Sequence, residues 1–345
     1  MELQLKTLTP LWTGGVETGK VDRLHETGIL GSLRWWMEVF ARGMGGNACD
    51  PTNHPCQYAE KTNDGLCDVC RVFGATGWRR RFRLDIRDST SPDNTVSPKI
   101  EIKRPYKDKH GKVQTPRGWY FPDNLQAKPR SGRLAIHIQS LAQDFQPEVI
   151  AGLIQFVADW TSLGARAQMG FGVIEPVNGR IETRALYDWL IATAGSHPNP
   201  NLASLQNIFL AQIKPKDSNQ SFTEQTTFNL KYDLRRLYAS DQKLRHFIMG
   251  TVSGERIAAK VKMSRPYGDG VMRVWGWIPE KTSVYKDNWN RDAVAKVIHD
   301  HLKANYALQV WREMNSTLDT VAQSISDAQV FMHSLLGLKE GDDAA

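Results

Sequence analysis

The chain has 345 residues, a net charge of +7, and a composition that is 41% hydrophobic and 23% charged. This length is enough for two domains that each bury a core, and the composition excludes a low-complexity or disordered chain. The sequence has no apolar run of about 18 residues and no apolar signal segment at its amino terminus. We therefore expect a cytoplasmic protein that has no membrane as a partner.

Basic charge is concentrated in one part of the chain. Between Arg71 and Arg133 there are 16 lysines and arginines against 6 aspartates and glutamates, a local charge of +10. The remainder of the chain therefore carries +7 minus +10, or −3. Such a concentration is the electrostatic pattern expected for binding a phosphate polymer. A solvated basic face without a ligand is the alternative.

The first predicted elements are a strand over 3–11 and an amphipathic helix that follows a polar loop. Apolar residues recur at helical spacing from Ile29 to Phe40, and Thr27 is a candidate for the helix cap. Guanidinium groups on the opposite face can bind phosphate, and an indole there can stack on a base. The candidate nucleic-acid contacts on this face are Arg34, Trp35 and Arg42.

All four cysteines follow this helix within 22 residues, at Cys49, Cys56, Cys67 and Cys70. Clustered cysteines in a cytoplasmic chain indicate a metal rather than disulfides, and four thiolates suit tetrahedral Zn²⁺. The first pair is spaced more widely than is usual, so His54 is an alternative ligand to Cys56. Because four ligands leave no open position, we expect a structural Zn²⁺ that folds an insertion over about 44–72. Buried or redox-active cysteines are the competing interpretation.

A run of arginines follows the cysteines. If 79–86 is a strand, Arg79, Arg81 and Arg83 share one face next to Trp78, while Phe82 shares the other face with Arg80 and Leu84. This arrangement predicts a basic surface with one indole beside it. A basic strand over 100–104 and an exposed hairpin or flexible loop over 106–118 come next. The candidate contacts of this run are Trp78, Arg79, Arg81 and Arg83.

The first half continues with a strand over 134–138, a helix over 147–163, a glycine-rich loop over 164–172, a strand over 173–176 and a helix over 186–194. Glycines that flank an arginine between a helix and a strand suit a loop that wraps a phosphodiester backbone. The loop lacks the lysine and the spacing of a nucleotide-binding P-loop. Its candidate contacts are Gly164, Arg166, Gly170 and Gly172.

The segment 195–201 is the best candidate linker, which predicts one domain over 1–195 and a second over 202–345. In the second domain we expect strands over 209–213, 228–232 and 271–278, and a basic stretch over 255–266. Two amphipathic helices, over 291–313 and 318–336, should close the chain before a frayed tail at 340–345.

Four pieces of sequence together resemble the RAMP superfamily of type III CRISPR effector subunits, and within it the type III-B Cmr complex. They are Pro10-Leu11-Trp12-Thr13-Gly14-Gly15, Gly28-Ile29-Leu30-Gly31-Ser32-Leu33-Arg34-Trp35-Trp36 with Arg42-Gly43, Cys67-x-x-Cys70-Arg71-Val72-Phe73-Gly74, and Gly164-x-Arg166-x-x-x-Gly170-Phe171-Gly172. The pieces cover most of the first half, while the second half resembles the family only weakly, over 256–264.

The resemblance implies an α+β fold with two ferredoxin-like (RRM-like) βαββαβ domains. The first domain would carry the zinc-binding insertion, and helices would lie at the carboxyl terminus. It also implies an RNA-binding antiviral ribonucleoprotein subunit that contacts guide RNA and target RNA near the 3′ end of the guide. Other type III effector subunits would be its partners, and it would have no catalytic residues.

Two other functions are compatible with the sequence. A metal-independent RAMP endoribonuclease that processes precursor RNA would need a general base, for which His25 is the best candidate. The nuclease subunits of the family use an aspartate in the corresponding loop, where Asp22 and Glu26 are the nearest residues here. A zinc-stabilised interaction scaffold with incidental basic charge is the remaining alternative.

Overall fold

The computed structural model describes residues 1–17, 21–62, 64–96, 99–100, 102–108, 110–115, 119–120, 128–197, 199, 201–252, 254, 256–280, 282, 289–322 and 324–339. The predicted tail at 340–345 lies outside these residues, as do parts of the predicted segments 106–118, 195–201 and 255–266. In the described residues the chain is a mixed α+β protein.

The strands are β1 (Glu2–Thr7), β2 (Phe82–Pro92), β3 (Lys99–Ile100), β4 (Tyr106–Lys107), β5 (Val113–Gln114), β6 (Trp119–Tyr120), β7 (Arg130–Ser140), β8 (Ile174–Pro176), β9 (Ile208–Lys214), β10 (Val261–Met263), β11 (Met272–Trp277) and β12 (Ala307–Arg312). The helices are α1 (Glu26–Gly43), α2 (Asp68–Phe73), α3 (Glu148–Trp160), α4 (Arg184–Ala192), α5 (Glu224–Arg236), α6 (Gln242–Met249), α7 (Arg291–Asn305) and α8 (Ala328–Leu336).

Two four-stranded sheets form the framework. The first has the strand order β2-β7-β1-β8 and the second has the order β10-β11-β9-β12, with antiparallel pairing throughout. Helices α1 and α3 follow the first and third strands of the first sheet in chain order, and α5 and α7 do so in the second. The two halves of the chain therefore repeat one order of elements, strand–helix–strand–strand–helix–strand. Helix α2 and the pairs β3–β6 and β4–β5 lie in insertions of the first half.

The second sheet is covered on both faces. Along β9, Phe209, Ala211 and Ile213 belong to a core formed within the second half, whereas Ile208 and Leu210 join the core of the first half. This alternation is the two-residue period of a strand with an apolar partner on each side. The first core also contains apolar residues of α1 and α3, so these helices lie between the two sheets.

Several predicted elements have different bounds or types. The predicted strand 228–232 is wrong, because these residues lie inside α5, where Phe228, Leu230 and Leu234 are buried and Thr223 forms a capping box. The predicted helix 291–313 ends at Asn305, and the chain continues as β12, which pairs with β9. The last helix begins only at Ala328, after the Asp327 cap.

The first strand ends at Thr7 rather than at residue 11, and the amino-terminal cap of α1 is His25 rather than Thr27. The predicted strand 79–86 begins at Phe82 and extends to Pro92. Helix α3 lies within its predicted bounds and has a broad buried face. Within the described part of the chain, no helix combines the length and the apolar character needed to cross a membrane.

Candidate nucleic-acid interface and metal centre

The four cysteines converge on one point in the insertion between α1 and β2. The Sγ atoms of Cys49, Cys56, Cys67 and Cys70 all lie within 4.8 Å of one another, and those of Cys49 and Cys70 are 3.6 Å apart. Tetrahedral Zn²⁺ with bonds of about 2.3 Å places sulfur atoms about 3.8 Å apart, so the cluster is compatible with such an ion. His54 is exposed and does not belong to this group.

Backbone amides support the cysteine cluster. The amide of Cys70 donates to Cys67 Sγ at 3.4 Å, and the amide of Cys67 donates to Cys56 Sγ at 3.3 Å. A hydrogen bond from the Cys70 side chain lowers the pKa of Cys67 to about 4, while burial raises the pKa of Cys49 to about 11. The thiolate is the form that binds metal, and the hydrogen bond from Cys70 favours that form at Cys67.

Arg34 connects helix α1 to this cluster. Its Nε donates to Glu38 at 3.0 Å, its Nη1 donates to the Gly74 carbonyl at 3.0 Å, and its Nη2 donates to Cys70 Sγ at 3.0 Å. Each nitrogen of the guanidinium thus has an internal partner. The sequence predicts a phosphate contact at Arg34, whereas this geometry favours a structural role, bracing the insertion against the helix.

The Arg42 side chain also has its hydrogen-bond partners inside the protein. The residue is buried, and its guanidinium donates to the carbonyls of Ala48, Cys49 and Ala203 and to the Glu38 carboxylate. Glu38 therefore accepts from both arginines of α1, although desolvation raises the pKa of this buried carboxyl group. The polar side of the helix is covered by the cysteine insertion, and the Arg42 side chain is only 4% exposed.

Trp35 is half-buried at the junction of the two halves. Its ring makes an edge contact with Trp36 at 4.6 Å between centroids, and the ammonium of Lys262 lies 5.0 Å from its centroid. Lys262 comes from β10, so this contact joins α1 to the second sheet. Packing against neighbours thus accounts for part of the Trp35 surface that the sequence assigns to base stacking.

The arginines of the run after the cysteines differ from one another in location and in partners. Arg79 is exposed and precedes the strand, Arg81 pairs with Asp144, and Arg83 is exposed on β2, where its Nε donates to Asp85 at 3.0 Å. Trp78 is half-buried, and its indole N–H donates to the Arg71 carbonyl at 3.0 Å. The strand contributes only Arg83 of the three arginines predicted to share its face.

The outer face of the first sheet carries charged side chains that pair with one another. Arg87 Nη1 lies 3.1 Å from Glu2, and Lys6 pairs with Glu175. The four strands contain one Phe, Tyr or Trp, which is Phe82, and it is fully buried. RRM-type recognition uses aromatic side chains on a sheet face, and this face has none. The outer face of the first sheet therefore offers no aromatic platform for base stacking, and the glycine-rich loop is the other candidate interface.

The glycine-rich loop packs tightly against the segment after β1. All three predicted glycines, Gly164, Gly170 and Gly172, have positive φ angles. A Cβ on Gly172 would lie 2.0 Å from the Leu163 carbonyl oxygen, so no side chain fits there. The amide of Ala165 donates to the Trp12 carbonyl at 2.7 Å. These contacts fix the backbone on both sides of Arg166.

Arg166 is the arginine of this loop and has no polar partner among the described residues. It has a left-handed backbone with φ of 57°, and its guanidinium lies 3.8 Å from the centroid of the Trp12 ring. Left-handed backbone in a residue other than glycine is a strained conformation that occurs often at functional sites. The cation–π contact positions the guanidinium but satisfies none of its hydrogen-bond donors, which are therefore available to an anion.

Residues of the second half of the chain bind the glycine-rich loop, and the sequence does not predict these contacts. Lys231 Nζ donates to the Gln168 carbonyl at 2.7 Å, and Arg265 donates to the Met169 carbonyl at 3.2 Å and stacks on Phe171. Lys231 lies in the segment wrongly predicted as a strand. The sequence does show Arg265, within the predicted basic stretch, and Trp12, within the segment 10–15, but it does not show that they meet at the loop.

His25 and Asp22 form a close pair at the start of α1. His25 Nε2 lies 2.7 Å from Asp22 Oδ1, and the His25 amide donates to Thr13 Oγ1 at 2.9 Å. The hydrogen bond to His25 lowers the pKa of Asp22. A carboxylate that orients an imidazole is the arrangement used by general bases, so the pair has the form that catalysis would need.

The fold and the site define the class of this protein. It is an α+β protein with a four-cysteine cluster and a basic, glycine-rich loop. The sequence model of the RAMP superfamily matches residues 4–175, which contain the first sheet, the cysteines and the loop. Through its first half, the chain belongs to the RAMP superfamily. No curated protein matches the chain.

Three solved structures are among those to which the chain is similar. Cmr1 from Pyrococcus furiosus in its apo form has a TM-score of 0.46 and 15% identity, over 87% of this chain and 96% of that one. A chain of type III-B Cmr-beta bound to cognate target RNA and AMPPnP, with ssDNA present, has a TM-score of 0.45 and 11% identity, over 88% and 98%. A chain of Cmr-beta bound to cognate target RNA has a TM-score of 0.43 and 10% identity, over 86% and 99%.

Proposed function

We propose that the chain is a non-catalytic RNA-binding subunit of a type III CRISPR ribonucleoprotein in the cytoplasm. It would contact guide RNA and target RNA near the 3′ end of the guide, with other effector subunits as neighbours. The RAMP-superfamily match and the four motifs of the first half support the class of complex. The repeated strand–helix–strand–strand–helix–strand order supports two ferredoxin-like domains.

The observation that carries the RNA-binding proposal is the Arg166 guanidinium. It is held by the Trp12 ring and by a rigid loop, while its hydrogen-bond donors have no partner among the described residues. A positioned guanidinium of this kind suits a phosphodiester oxygen. Sequence specificity would come from base pairing of the guide, so the subunit need only bind the backbone.

Measuring RNA affinity at several salt concentrations tests this proposal. Arg166→Gln should weaken binding to single-stranded RNA and reduce the slope of log affinity against log salt by about 0.7, the loss of one phosphate contact. Arg184→Gln is the matched control, since Arg184 lies on the surface of α4 and pairs with Asp188. Equal affinities and slopes for the wild type and Arg166→Gln would contradict the assignment.

The same proposal includes a structural Zn²⁺ bound by Cys49, Cys56, Cys67 and Cys70. The separation of their sulfur atoms and the amide donors to two of them support this ligand set. The ion would stabilise the insertion that covers the polar side of α1.

Endoribonuclease activity is a second candidate, favoured by the hydrogen bond between His25 and Asp22. In that case His25 would remove the proton of a 2′-hydroxyl group, and the 2′-oxygen would attack the adjacent phosphorus without a metal. The bond from phosphorus to the 5′-oxygen of the next nucleotide would break, and that oxygen would take a proton from solvent. Incubation of the purified chain with end-labelled precursor RNA distinguishes the two functions. Cleavage at a defined position that is lost in His25→Ala would favour the nuclease, and intact RNA would favour the non-catalytic subunit.

A further inference from the structure

A small basic cavity lies where the cysteine insertion joins the first sheet. It has a volume of about 260 Å³ and is lined by Trp78, Arg79, Arg80, Arg81, Leu141, Ala142 and Asp144. Three arginines against one aspartate give the lining a charge of +2. The volume is slightly below the range of pockets for drug-sized ligands, so the cavity accommodates about one nucleotide at most.

Two of these arginines are available to a ligand. Arg81 is neutralised by Asp144, but neither Arg79 nor Arg80 has a side-chain hydrogen bond or ion pair with any described residue. Both residues line the same cavity, and a phosphate bound there could accept charge-assisted hydrogen bonds from their guanidinium groups. Arg79 and Arg80 therefore favour an anion with several oxygen atoms as the ligand of the cavity.

The rest of the lining is apolar. Leu141 and Ala142 line the cavity together with Trp78. The position of the Trp78 indole is fixed by its hydrogen bond to the Arg71 carbonyl and by Tyr58, at 4.9 Å between centroids. An immobilised indole next to apolar side chains suits a flat aromatic group. An anion attached to an aromatic ring is the chemistry of a nucleotide.

A larger neighbouring cavity of about 420 Å³ provides a contrast. It shares Arg81 and Asp144 with the small cavity, but Asp68 and Asp188 give its lining three carboxylates against two arginines. Excess negative charge disfavours phosphate there. Of these two cavities, the small one is the one that combines a positive lining with an aromatic ring.

We propose that the cavity at Trp78, Arg79 and Arg80 receives a single unpaired nucleotide of the bound RNA. Its base packs against Trp78, Leu141 and Ala142, and its phosphate lies between Arg79 and Arg80. This inference rests on the proposed RNA-binding function and adds a base-binding subsite to it. An unpaired base fits because a paired base has its flat surfaces covered by its neighbours in the helix.

Comparison of RNA with abasic RNA tests the subsite. Wild-type protein should bind a single-stranded RNA at least about fivefold more tightly than an oligomer of the same length that has ribose but no bases. The double variant Arg79→Gln/Arg80→Gln should bind RNA more weakly and lose this preference. Arg87→Gln/Arg133→Gln, which removes the same two charges from exposed positions of the first sheet, should keep it. Matching thermal unfolding and zinc content would show that the double variant is folded.

The outcomes separate the subsite from the function on which it rests. RNA binding by the wild type without a preference for bases, or a preference that survives in the double variant, overturns the subsite and leaves RNA binding intact. Wild-type protein that binds no RNA overturns the proposed function and this inference together. Titration with AMP tests whether the cavity binds a free nucleotide instead of a nucleotide of the bound RNA. AMP that binds the wild type, fails to bind the double variant and is not displaced by RNA would also overturn the inference.

Discussion

Arg34 Nη2 lies 3.0 Å from Cys70 Sγ, so the guanidinium on the first long helix is a direct neighbour of the cysteine cluster. The same side chain also binds the Gly74 carbonyl and Glu38. A zinc ion bound by the cysteines would leave a net negative charge on four thiolates, and Arg34 would offset part of it. Arg34 thus couples the insertion to the helix, as Arg42 does through the Ala48 and Cys49 carbonyls.

Arg34→Met should destabilise the protein. The variant loses hydrogen bonds to a carboxylate, a carbonyl and a sulfur, so we expect the free energy of unfolding to fall by about 2 kcal/mol. Urea denaturation monitored by tryptophan fluorescence measures the change, with Arg83→Met as the control for loss of an exposed arginine. RNA affinity at temperatures where the variant is folded should stay near the wild-type value. Unchanged stability together with weakened RNA binding would restore Arg34 as a phosphate contact.

Removal of metal should unfold the insertion. Few apolar residues lie between Ala48 and Leu66, so the segment depends on its ligands for a fixed structure. Wild-type protein should contain one zinc per chain, and Cys67→Ser should contain less and be cut by protease within 44–72. Wild-type protein stripped with a chelator should show the same cleavage, and added Zn²⁺ should suppress it. A metal-free chain that resists protease there would show that the cysteines need no ion.

Two glycine substitutions should separate backbone strain from steric exclusion in the glycine-rich loop. Gly172 and Gly179 have nearly equal φ angles, 94° and 92°, but only Gly172 has a close neighbour, the Leu163 carbonyl oxygen. Gly179→Ala should cost about 1–2 kcal/mol of unfolding free energy, the cost of a left-handed conformation. Gly172→Ala should cost clearly more, because the loop must move to admit the methyl group. Equal losses of unfolding free energy for the two variants in urea denaturation would show that the loop moves to admit the methyl group without further cost.

Stability should rise with pH because of Lys262. Burial lowers the pKa of this lysine to about 8, below its ordinary value of 10.5. Between these two values the unfolded chain binds more protons than the folded chain, so alkali favours the folded state until the unfolded lysine also loses its proton. Because the side chain is partly exposed, we expect a gain of about 1 kcal/mol from pH 7.5 to 10.

Lys262→Met should remove that gain and be more stable than the wild type at pH 7. Urea midpoints across this pH range measure the effect. A wild-type curve no steeper than that of Lys262→Met would show that the folded lysine stays protonated throughout. Lys112→Met, at an exposed position, is the control for loss of a lysine.

Local sequence patterns predict the first half well and the second half less so. Helix α3 follows from its apolar periodicity, and the cysteine cluster follows from spacing, because both depend on residues close in sequence. The segment 228–232 alternates like a strand, but its helical burial depends on the second sheet. Strand β12 exists through its pairing with β9, almost 100 residues earlier, which no local pattern records.

The candidate RNA-binding residues show the same contrast between features that depend on local sequence and features that depend on distant residues. Arg34 and Arg42 do lie on the polar side of α1, yet the sequence does not show that an insertion folds over that side and uses their donors. The glycine neighbours of Arg166 identify it as a candidate contact, and its guanidinium has no polar partner among the described residues. The decisive contact with Trp12 joins positions more than 150 residues apart.

The second sheet, covered on both faces, makes the two halves dependent on each other during folding. Arg273 of β11 donates to the carbonyls of Val157, Ala158 and Thr161 at the end of α3, while Ile208 and Leu210 lie in the core of the first half. Cutting the chain between 195 and 207 would leave both products with exposed apolar surface, so fragments made separately should aggregate. The intact chain should melt in a single cooperative transition, although its sequence repeats one order of elements twice.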